Sequence, residues 1–274
     1  MRVLCAGLAT RDTIWRVPEH PPPDGRVVAT DLVVAGGGPA ATAAVALARL
    51  GLAVGFVGAV GDDAAGMFVR DGLAAEGVDV SQLAVVAGAR TAESAVLVGP
   101  DSSRSIVHRA GTAAFPHVDL EADWVHVDHA GYGRVAPGAT ATVSLDAGVA
   151  IDGLDLNGIE VYAPTEERLR ADFGSAEEAL EAGAELVVVT RGADGSVATT
   201  REGVVDAPGV PCGTLVSTLG AGDVFHGALI GALVRGAALP DALHMANTAA
   251  SLSCRALDGR SAIPRADELE RSLT

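Results

Sequence analysis

Residues 217 to 229 (STLGAGDVFHGAL) carry the residue types and spacing of an anion-binding site. A glycine-rich turn with Gly220 and Gly222 leads into an apolar-periodic helix that is predicted to begin around Ala221. Glycine lets a ligand approach the backbone, and free N–H groups at the positive end of a helix dipole can face an anion. Asp223 could then accept a proton from a hydroxyl that attacks a phosphoryl group held there. The alternative is a capped helix start in which Asp223 only complements the dipole.

The basic residues limit how the chain can handle phosphate. All 19 are arginine, so the chain contains no lysine. A Walker A loop needs a lysine on the phosphates and a pyridoxal enzyme needs a Schiff-base lysine, so both classes are excluded. Phosphate chemistry must depend on backbone N–H groups, helix N-termini, arginine or metal. The net charge of −16, with no arginine-rich run, argues against a nucleic-acid partner.

The composition and the first residues predict a cytoplasmic chain. With 274 residues and 49% hydrophobic residues, the chain can bury one large core or two unequal ones. The start MRVLCAGLAT becomes polar at Arg11, too soon for a signal peptide, and no run of eighteen apolar residues predicts a membrane span. Cys5, Cys212 and Cys254 lack metal-ligand or CxxC spacing, which favours buried small hydrophobes over ligands or bridges.

Short apolar runs alternate with helical stretches, which predicts an α/β fold with a mainly parallel sheet covered on both faces. The predicted strands are 3–7, 53–58, 124–128, 142–146, 159–163 and 185–190. The predicted helices are 39–50, 63–76, 221–235 and 240 to about 257.

Two segments interrupt this alternation. Residues 14–35 and 90–110 show hairpin-like alternation around PPPDG and GPDSS, with no helix between their strands. We therefore expect one α/β domain over residues 1–274, with these segments forming a small inserted β-sheet that acts as a lid.

The motifs on this scaffold, namely GAGD near the C-terminus, GGGPAA around residue 38 and GD at 61–62, resemble the ribokinase-like (PfkB) carbohydrate kinases. The resemblance covers essentially the whole chain. It implies the ribokinase-like fold and an ATP-dependent, magnesium-assisted sugar kinase. It also implies that Asp223 is the catalytic base and that the backbone of Gly220, Ala221 and Gly222 forms the anion hole.

The sugar side of the resemblance falls in the first forty residues. The aspartate that binds sugar hydroxyls in this family corresponds to Asp12, in GLATRD, and the glycine pair that approaches the sugar resembles Gly37 and Gly38. An amide that usually follows the glycine pair is replaced by Ala41 or Thr42. This replacement removes a contact to sugar hydroxyls.

The nucleotide side is matched by VVVTRGADGS. Thr190, Gly192 and Gly195 fit the TxGxxG pattern that lies beside the ATP phosphates and ribose, although an ordinary glycine-rich hairpin has the same letters. Asn247 corresponds to a position near the adenine in this family. Its alternative is a helix-interior asparagine bonded to a neighbouring loop.

Three departures bear on ions and substrate. The NxxE motif of the magnesium shell falls on TEER at 165–168, which leaves Glu166 or Glu167 to act on the metal through water. Ser217 stands where ribokinase has a monovalent-cation ligand, so potassium activation is not expected. The branch that looks most similar is that of the 6-deoxy-6-sulfofructose kinases, with ketohexokinase more distant. The arginine that this branch uses to hold the sulfonate falls near Ala130 here, so an anionic tail would need another arginine. Arg109 on the lid is a candidate, against the alternative of a solvated lid arginine.

Histidine and aspartate residues between these motifs leave further options. In WVHVDH, His126 and Asp128 share one face of a strand, and His129 follows at its C-terminal end, where open α/β sheets bind ligands. A role in sugar recognition for Asp128 or His129 is one hypothesis. His226, three residues after Asp223, is expected to pack beneath the site.

The sequence thus predicts an ATP-dependent kinase that phosphorylates a primary hydroxyl of a monosaccharide, such as a ketose or a sugar derivative. Two alternatives stay open: a nucleoside kinase of the same superfamily, and a catalytically silent regulator that binds sugar or nucleotide. The exposed edges of a small lid sheet also favour a homodimer in which two lids pair.

Overall fold

The computed structural model describes residues 1–115, 118–138 and 140–273. Parallel strands form the centre of the molecule. A nine-stranded sheet has the order β15-β14-β13-β12-β11-β9-β1-β4-β5, and a four-stranded sheet has the order β3-β2-β6-β7. The strands are β1 Val3–Ala6, β2 Thr10–Arg16, β3 Asp31–Gly37, β4 Val54–Gly61, β5 Leu83–Val86, β6 Ala92–Val98, β7 Arg104–Arg109, β8 Val118–Leu120, β9 Trp124–Val127, β10 Val135–Pro137, β11 Thr142–Ala147, β12 Val161–Pro164, β13 Leu186–Thr190, β14 Ser196–Thr200 and β15 Gly203–Ala207. The helices are α1 Pro39–Arg49, α2 Ala64–Ala75, α3 Glu166–Asp172, α4 Ala176–Glu181, α5 Ala221–Val234, α6 Leu239–Ser253 and α7 Ala266–Ser272.

The large sheet is parallel from β13 to β5 and ends in two antiparallel strands, β14 and β15. Successive side chains of β1 enter different cores: Val3 and Cys5 pack with α1, α5 and α6, whereas Leu4 and Ala6 pack on the face that α3 and α4 cover. Continuous apolar runs such as VLCA therefore form strands that are buried on both faces. The α/β fold predicted from the sequence is confirmed.

Two helices point their N-termini towards one end of the sheet. Helix α1 follows Gly38, which has a φ of 94°, and Pro39 occupies its first turn. Helix α5 follows Gly220, which has a φ of 76°. The two helices pack closely, because a Cβ on Gly227 would lie 2.6 Å from the Ala43 carbonyl oxygen. No helix in the described ranges is long and apolar enough to cross a bilayer.

The small sheet is made of two antiparallel hairpins, β2–β3 and β6–β7, whose inner strands β2 and β6 run parallel. The first hairpin extends beyond the predicted segment 14–35 at both ends, since β2 begins at Thr10 and β3 ends at Gly37, whereas β6 and β7 lie within the predicted segment 90–110. Ile14 and Val96 on one face pack with Leu219 and Leu257. That face of the small sheet consequently looks towards the start of α5.

The last predicted helix is shorter than its apolar pattern indicates. Helix α6 ends at Ser253 rather than near Leu257, because the next carbonyl, that of Cys254, accepts the N–H groups of Val216 and Ser217 at 2.9 and 3.1 Å. These bonds fix residues 254 to 260 as a loop beside the start of α5.

Candidate active site

A cavity of about 340 Å³ lies between the small sheet and the N-terminus of α5. It brings together residues that are far apart in the sequence. Its lining consists of Leu8, Thr10, Asp12, Ile14, Gly36, Gly37, Gly38, Pro39, Thr42, Ser94, Ile106, His108, His129, Val149, Leu219, Gly220, Asp223 and Gly259. Six of the residues proposed from the sequence, namely Asp12, Gly37, Gly38, His129, Gly220 and Asp223, are among them.

The N-terminus of α5 leaves backbone donors free at one wall of the cavity. The left-handed conformation of Gly220 turns the chain into the helix, and a Cβ there would lie 2.8 Å from the Cα of Gly259. Within the described residues, the N–H groups of Gly220, Gly222 and Asp223 have no hydrogen-bond partner, whereas the N–H of Ala221 bonds to Thr218. Unpaired N–H groups at a helix start can bind a negatively charged oxygen.

Asp223 lies at the same helix start and lines the cavity. Burial, with a further contribution from the negative charge of Asp146, raises the pKa of Asp223 to about 7. A carboxylate with a pKa near neutrality is suited to take a proton from a hydroxyl and to release it later.

Asp12 faces Asp223 from the small sheet. Alternation along β2 puts Thr10, Asp12 and Ile14 on the face that lines the cavity. The side chains of Thr10 and Ser94 bond to Asp12, while its Oδ1 is buried without a hydrogen-bond partner. Burial raises the pKa of Asp12. The unpaired oxygen is a ready acceptor for a ligand hydroxyl.

The glycine run before α1 lies against these groups without room for side chains. A Cβ on Gly37 would lie 1.9 Å from an Asp12 carboxylate oxygen, and a Cβ on Gly38 would lie 2.2 Å from the Leu8 carbonyl oxygen. A Cβ on Gly36 would lie 2.3 Å from Nη1 of Arg260. Only glycine permits this approach of backbone to the polar groups.

Arg260 is the main residue at the site that the sequence interpretation missed. It is 8% exposed, its Nη2 donates to the Gly37 carbonyl at 2.7 Å, and its Nε donates to the Thr42 hydroxyl at 3.2 Å. Burial lowers its pKa to about 10, so it stays charged at neutral pH. Arg260 thus anchors the glycine run to the C-terminal loop. No sequence motif indicated this role of Arg260, although Arg260 directly follows Gly259, which lines the cavity.

The residues proposed to contact the nucleotide lie around β13 to β15 of the large sheet and do not line the cavity. Thr190 ends β13, Gly192 begins a short 3₁₀ turn and Gly195 follows that turn, with φ of 60° and 90°. A Cβ on Gly195 would lie 2.2 Å from the Ala207 carbonyl oxygen. Asn247 donates to the carbonyls of Ala207 and Pro208 at 3.2 Å each, so its amide holds the chain that leaves β15.

Glu166 and Arg109 are both engaged in exposed ion pairs. Glu166 begins α3, and the bridge between Thr165 and Thr190 puts it near the end of β13, but its carboxylate accepts from Arg170 at 2.8 Å. Arg109 pairs with Glu93 and does not line the cavity. Exposed pairs of this kind contribute about 0–1 kcal/mol, so either could be exchanged for a ligand.

Asp128 and His129 differ in what they can reach. The Asp128 carboxylate is buried and accepts the N–H groups of Leu8, Ala40, Ala130 and Gly131 at 2.8 to 3.1 Å. Asp128 therefore joins β1, α1 and the end of β9, a structural role that the sugar-recognition hypothesis did not foresee. His129 lines the cavity.

Comparisons with known proteins indicate a family of carbohydrate kinases. The family model described as pfkB family carbohydrate kinase matches residues 1–146 and 156–266. An ATP-dependent ribose-1-phosphate kinase of Halopiger xanaduensis is 32% identical over 302 residues, which cover 100% of this chain and 98% of that protein. A fructokinase of Klebsiella pneumoniae is 32% identical, covering 86% of this chain and 91% of its own. The structure of Arabidopsis thaliana ribokinase, complexed with ribose and ATP, has a TM-score of 0.82 at 23% identity, covering 100% of this chain and 98% of that chain, and supports the fold.

Proposed function

The chain belongs to the PfkB family of carbohydrate kinases, which are phosphotransferases with an alcohol acceptor, and on that premise we propose that it transfers the γ-phosphoryl group of ATP to a primary hydroxyl of a monosaccharide or sugar derivative. The observation that carries this proposal is the shared cavity. It joins the N-terminus of α5 and Asp223 to the unpaired oxygen of Asp12.

The proposed chemistry follows from that arrangement. Asp12 accepts hydrogen bonds from sugar hydroxyls and orients the sugar so that one hydroxyl points at Asp223. Asp223 takes the proton of that hydroxyl as its oxygen attacks the γ-phosphorus and the bond to ADP breaks. The free N–H groups of Gly220, Gly222 and Asp223 stabilise the negative charge of the transferring group. The anion hole is supplied by backbone, so this chain needs no lysine there.

Magnesium and the nucleotide complete the proposal. Mg²⁺ is held largely by phosphate oxygens and water with one or two carboxylates, and it neutralises charge on the phosphates. Glu166 suits that demand, because it lies beside the end of β13 and its exposed pair with Arg170 is weak. Thr190 is proposed to contact the triphosphate and ribose, which the open space around Gly192 can accommodate.

The relatives and the cavity lining both bear on which sugar the chain phosphorylates. The ribose-1-phosphate kinase, ribokinase and fructokinase relatives favour a pentose, a pentose phosphate or a ketose. The cavity walls carry the carboxylates of Asp12 and Asp223, which suit hydroxyls, and the imidazoles of His108 and His129, which suit either hydroxyls or an anionic substituent.

The deciding experiment is a coupled ADP-release assay on ribose, ribose 1-phosphate, fructose, 6-deoxy-6-sulfofructose and purine nucleosides, with Mg²⁺ and ATP. We expect turnover on one of the first four, and ³¹P and ¹³C NMR of the product should locate the new phosphate on a primary carbon. Turnover confined to nucleosides would support the nucleoside-kinase alternative. Sugar binding without ADP release on any substrate would support the regulator, which the intact GAGD motif opposes.

A second experiment tests the magnesium contact. Glu166→Gln should raise the Mg²⁺ concentration needed for half-maximal activity about tenfold, and Glu178→Gln on α4 is the matched control for an exposed helical carboxylate. Equal magnesium dependence in both variants would remove Glu166 from the proposal.

The small sheet is proposed to close over the sugar and to pair with a second copy. Its outer strands expose Leu32 (54%), Ile106 (50%) and Val107 (72%), a concentration of apolar surface that a dimer would cover. Sedimentation analysis of the chain and of Val107→Asp tests the pairing, and a monomeric wild-type chain would refute it.

We also propose that the chain is located in the cytoplasm, which cell fractionation tests.

A further inference from the structure

Three buried side chains meet between helix α5 and the large sheet, and they carry atoms of the types that bind transition metals. His126 lies on β9, Asp146 on β11 and His226 on α5. One ligand atom from each residue lies within 4.8 Å of the other two. The three residues are 1%, 5% and 5% exposed, and none of them is among the residues that line the cavity. The cluster is therefore separate from the residues proposed to bind sugar and nucleotide.

The two histidines of this cluster hold buried nitrogens that lack hydrogen bonds. Among the residues that the structure describes, no hydrogen bond reaches Nε2 of His126 or either ring nitrogen of His226. Nδ1 of His226 lies 3.0 Å from Oδ2 of Asp146, but the two atoms are not aligned as a hydrogen bond. Buried polar atoms without partners are destabilising, so three of them in one cluster point to a ligand that binds there.

A proton is the simplest ligand for this cluster. It would make His226 an imidazolium that forms a buried ion pair with Asp146. That pair would occupy His226 and Asp146 but would leave Nε2 of His126 without a partner. A divalent cation can bind all three residues at once, so it satisfies more of the cluster than a proton does.

Ser144 and Trp124 hold the ring of His126 in place. Nδ1 of His126 lies 3.0 Å from Oγ of Ser144, and the same Oγ accepts from Nε1 of Trp124 at 3.0 Å. When Nδ1 donates to Ser144, the lone pair of the neutral ring lies on Nε2. In metal sites, a partner of this kind usually orients the ring nitrogen that does not bind the ion. Nε2 of His126 is thus prepared as a ligand atom.

The other two residues of the cluster also have neighbours that orient them. Oδ1 of Asp146 accepts the N–H of Gly148 at 2.8 Å, which leaves Oδ2 for a cation. The Ala163 carbonyl lies near the ring of His226 and can accept the N–H of the nitrogen that does not bind the ion. Each proposed ligand atom therefore belongs to a side chain whose other polar atom is held by the protein.

The distances between these atoms suit zinc. Zn²⁺ binds imidazole nitrogen and carboxylate oxygen at about 2.0–2.1 Å, which puts the ligands of a tetrahedral site about 3.3 Å apart. Nδ1 of His226 and Oδ2 of Asp146 are already close to that spacing. The other separations are at most 4.8 Å, so a contraction of at most about 1.5 Å brings His126 into the same shell. Two imidazoles and one carboxylate suit zinc better than magnesium, which prefers oxygen ligands.

We propose that His126, Asp146 and His226 form a binding site for one Zn²⁺ ion, which ties α5 to strands β9 and β11. Water completes the tetrahedron, as it does where a protein supplies three ligands to zinc. Because the cluster is buried away from the cavity, the role of the ion is structural: it fixes the helix whose first turn carries Asp223. The site does not depend on the proposed function, and it is distinct from the magnesium contact proposed at Glu166.

The first test measures zinc binding by the wild-type chain. The full chain is prepared without a tag or a metal-chelating column, is freed of metal with a chelator, and is titrated by calorimetry with Zn²⁺ alone, without ATP. We expect one ion per chain. A Zn²⁺ concentration a hundredfold above the dissociation constant should raise the Tm by at least about 5 °C. X-ray absorption at the zinc edge should show two imidazole ligands at about 2.0 Å.

Three variants and two controls locate the ion. His126→Gln, Asp146→Asn and His226→Gln should each weaken Zn²⁺ binding at least about tenfold and remove most of the rise in Tm. His244→Gln, an exposed change on α6, should bind Zn²⁺ as the wild-type chain does. His129→Gln should do the same, because His129 lines the cavity and lies outside the cluster.

The proposal is overturned if the wild-type chain does not bind Zn²⁺ or binds it through oxygen ligands alone. It is also overturned if Asp146→Asn or His226→Gln keeps wild-type affinity, or if His129→Gln loses binding, which would put the ion in the cavity. If a variant of the cluster does not fold, the X-ray absorption of wild type and the binding by His129→Gln decide the matter. None of these measurements uses kinase activity, so failure of the proposed function would leave them unchanged.

Discussion

Two aspartates near the edge of the large sheet lie beside helix N-termini and have opposite surroundings. Asp128 accepts four backbone N–H groups, including that of Ala40 in the first turn of α1. Asp223 sits in the first turn of α5 and has no hydrogen bond from the described residues, although unpaired N–H groups surround it. One helix start is closed by a carboxylate of the protein, and the other is left open to the cavity.

The difference separates a structural carboxylate from a reactive one. Four hydrogen bonds use every lone-pair direction of Asp128, so it has no capacity for a ligand. Burial raises the pKa of both carboxyls; Asp223 has no hydrogen bond from the described residues to offset it, and with a further contribution from the charge of Asp146 its pKa reaches about 7. Burial of a carboxyl group is common to both positions; the absence of partners distinguishes the proposed base.

The largest expected effect comes from Asp223→Asn. The change removes the proposed proton acceptor and keeps the shape of the side chain, so kcat should fall by about 10³-fold, while the dissociation constant of ATP changes little. Steady-state kinetics and calorimetric titration with ATP check both statements. Near-normal turnover would show that the open helix start does not hold the base.

Asp128→Asn should instead act on stability. An amide nitrogen would face N–H donors that now bond to a carboxylate oxygen, which costs about 3 kcal/mol of the free energy of unfolding. Urea denaturation measures this loss, and Asp223→Asn in the same assay is the matched control, for which we expect no loss. A stable Asp128→Asn chain would contradict the structural role of Asp128.

Gly37→Ala should affect the sugar and not the nucleotide. The new methyl group would lie 1.9 Å from an Asp12 oxygen, so Asp12 or the glycine run must shift. We expect the KM for the sugar to rise at least about tenfold with the KM for ATP unchanged. Gly72→Ala, in α2 with open space around it, is the control and should leave both constants unchanged.

The last expected effect is a pH dependence of the free energy of unfolding. The pKa of Asp223 is raised above its unfolded value, so between about pH 4 and pH 7 the folded chain binds more protons than the unfolded chain. This group therefore lowers stability as the pH rises through that window. Asp146, with its pKa near 2, contributes stability that is lost only as the pH falls towards 2. Urea unfolding across this range should give a flatter curve for Asp223→Asn; an unchanged slope would refute the raised pKa.

The sequence predicted those parts of the site that local patterns encode. GAGD and GGGPAA depend on backbone conformation at particular positions, and Gly220 and Gly38 have the positive φ values that such turns require. Asp12 was assigned from the family resemblance alone, and the alternation of β2 in the structure explains why it faces the cavity. The small sheet followed from hairpin signals in its two segments.

The parts that the sequence could not predict depend on tertiary contacts. Nothing near Arg260 in the sequence indicates that its guanidinium reaches the carbonyl of Gly37. The early end of α6 depends on a carbonyl that bonds to another loop. The two antiparallel edge strands after β13 were also missed, because GVVDA is short and half-exposed and lacks a clear period.

The bond from Arg260 to Gly37 joins groups separated by 223 residues. At the far end of α1, Arg49 donates to the carbonyls of Arg260 and Ile263 at 2.8 and 2.9 Å, so the same C-terminal loop holds both ends of that helix. During synthesis the glycine run before α1 is made long before Arg260, so this wall of the cavity cannot take its final form until residues 260 to 263 have left the ribosome. The order of translation therefore delays assembly of the cavity until those residues have been made.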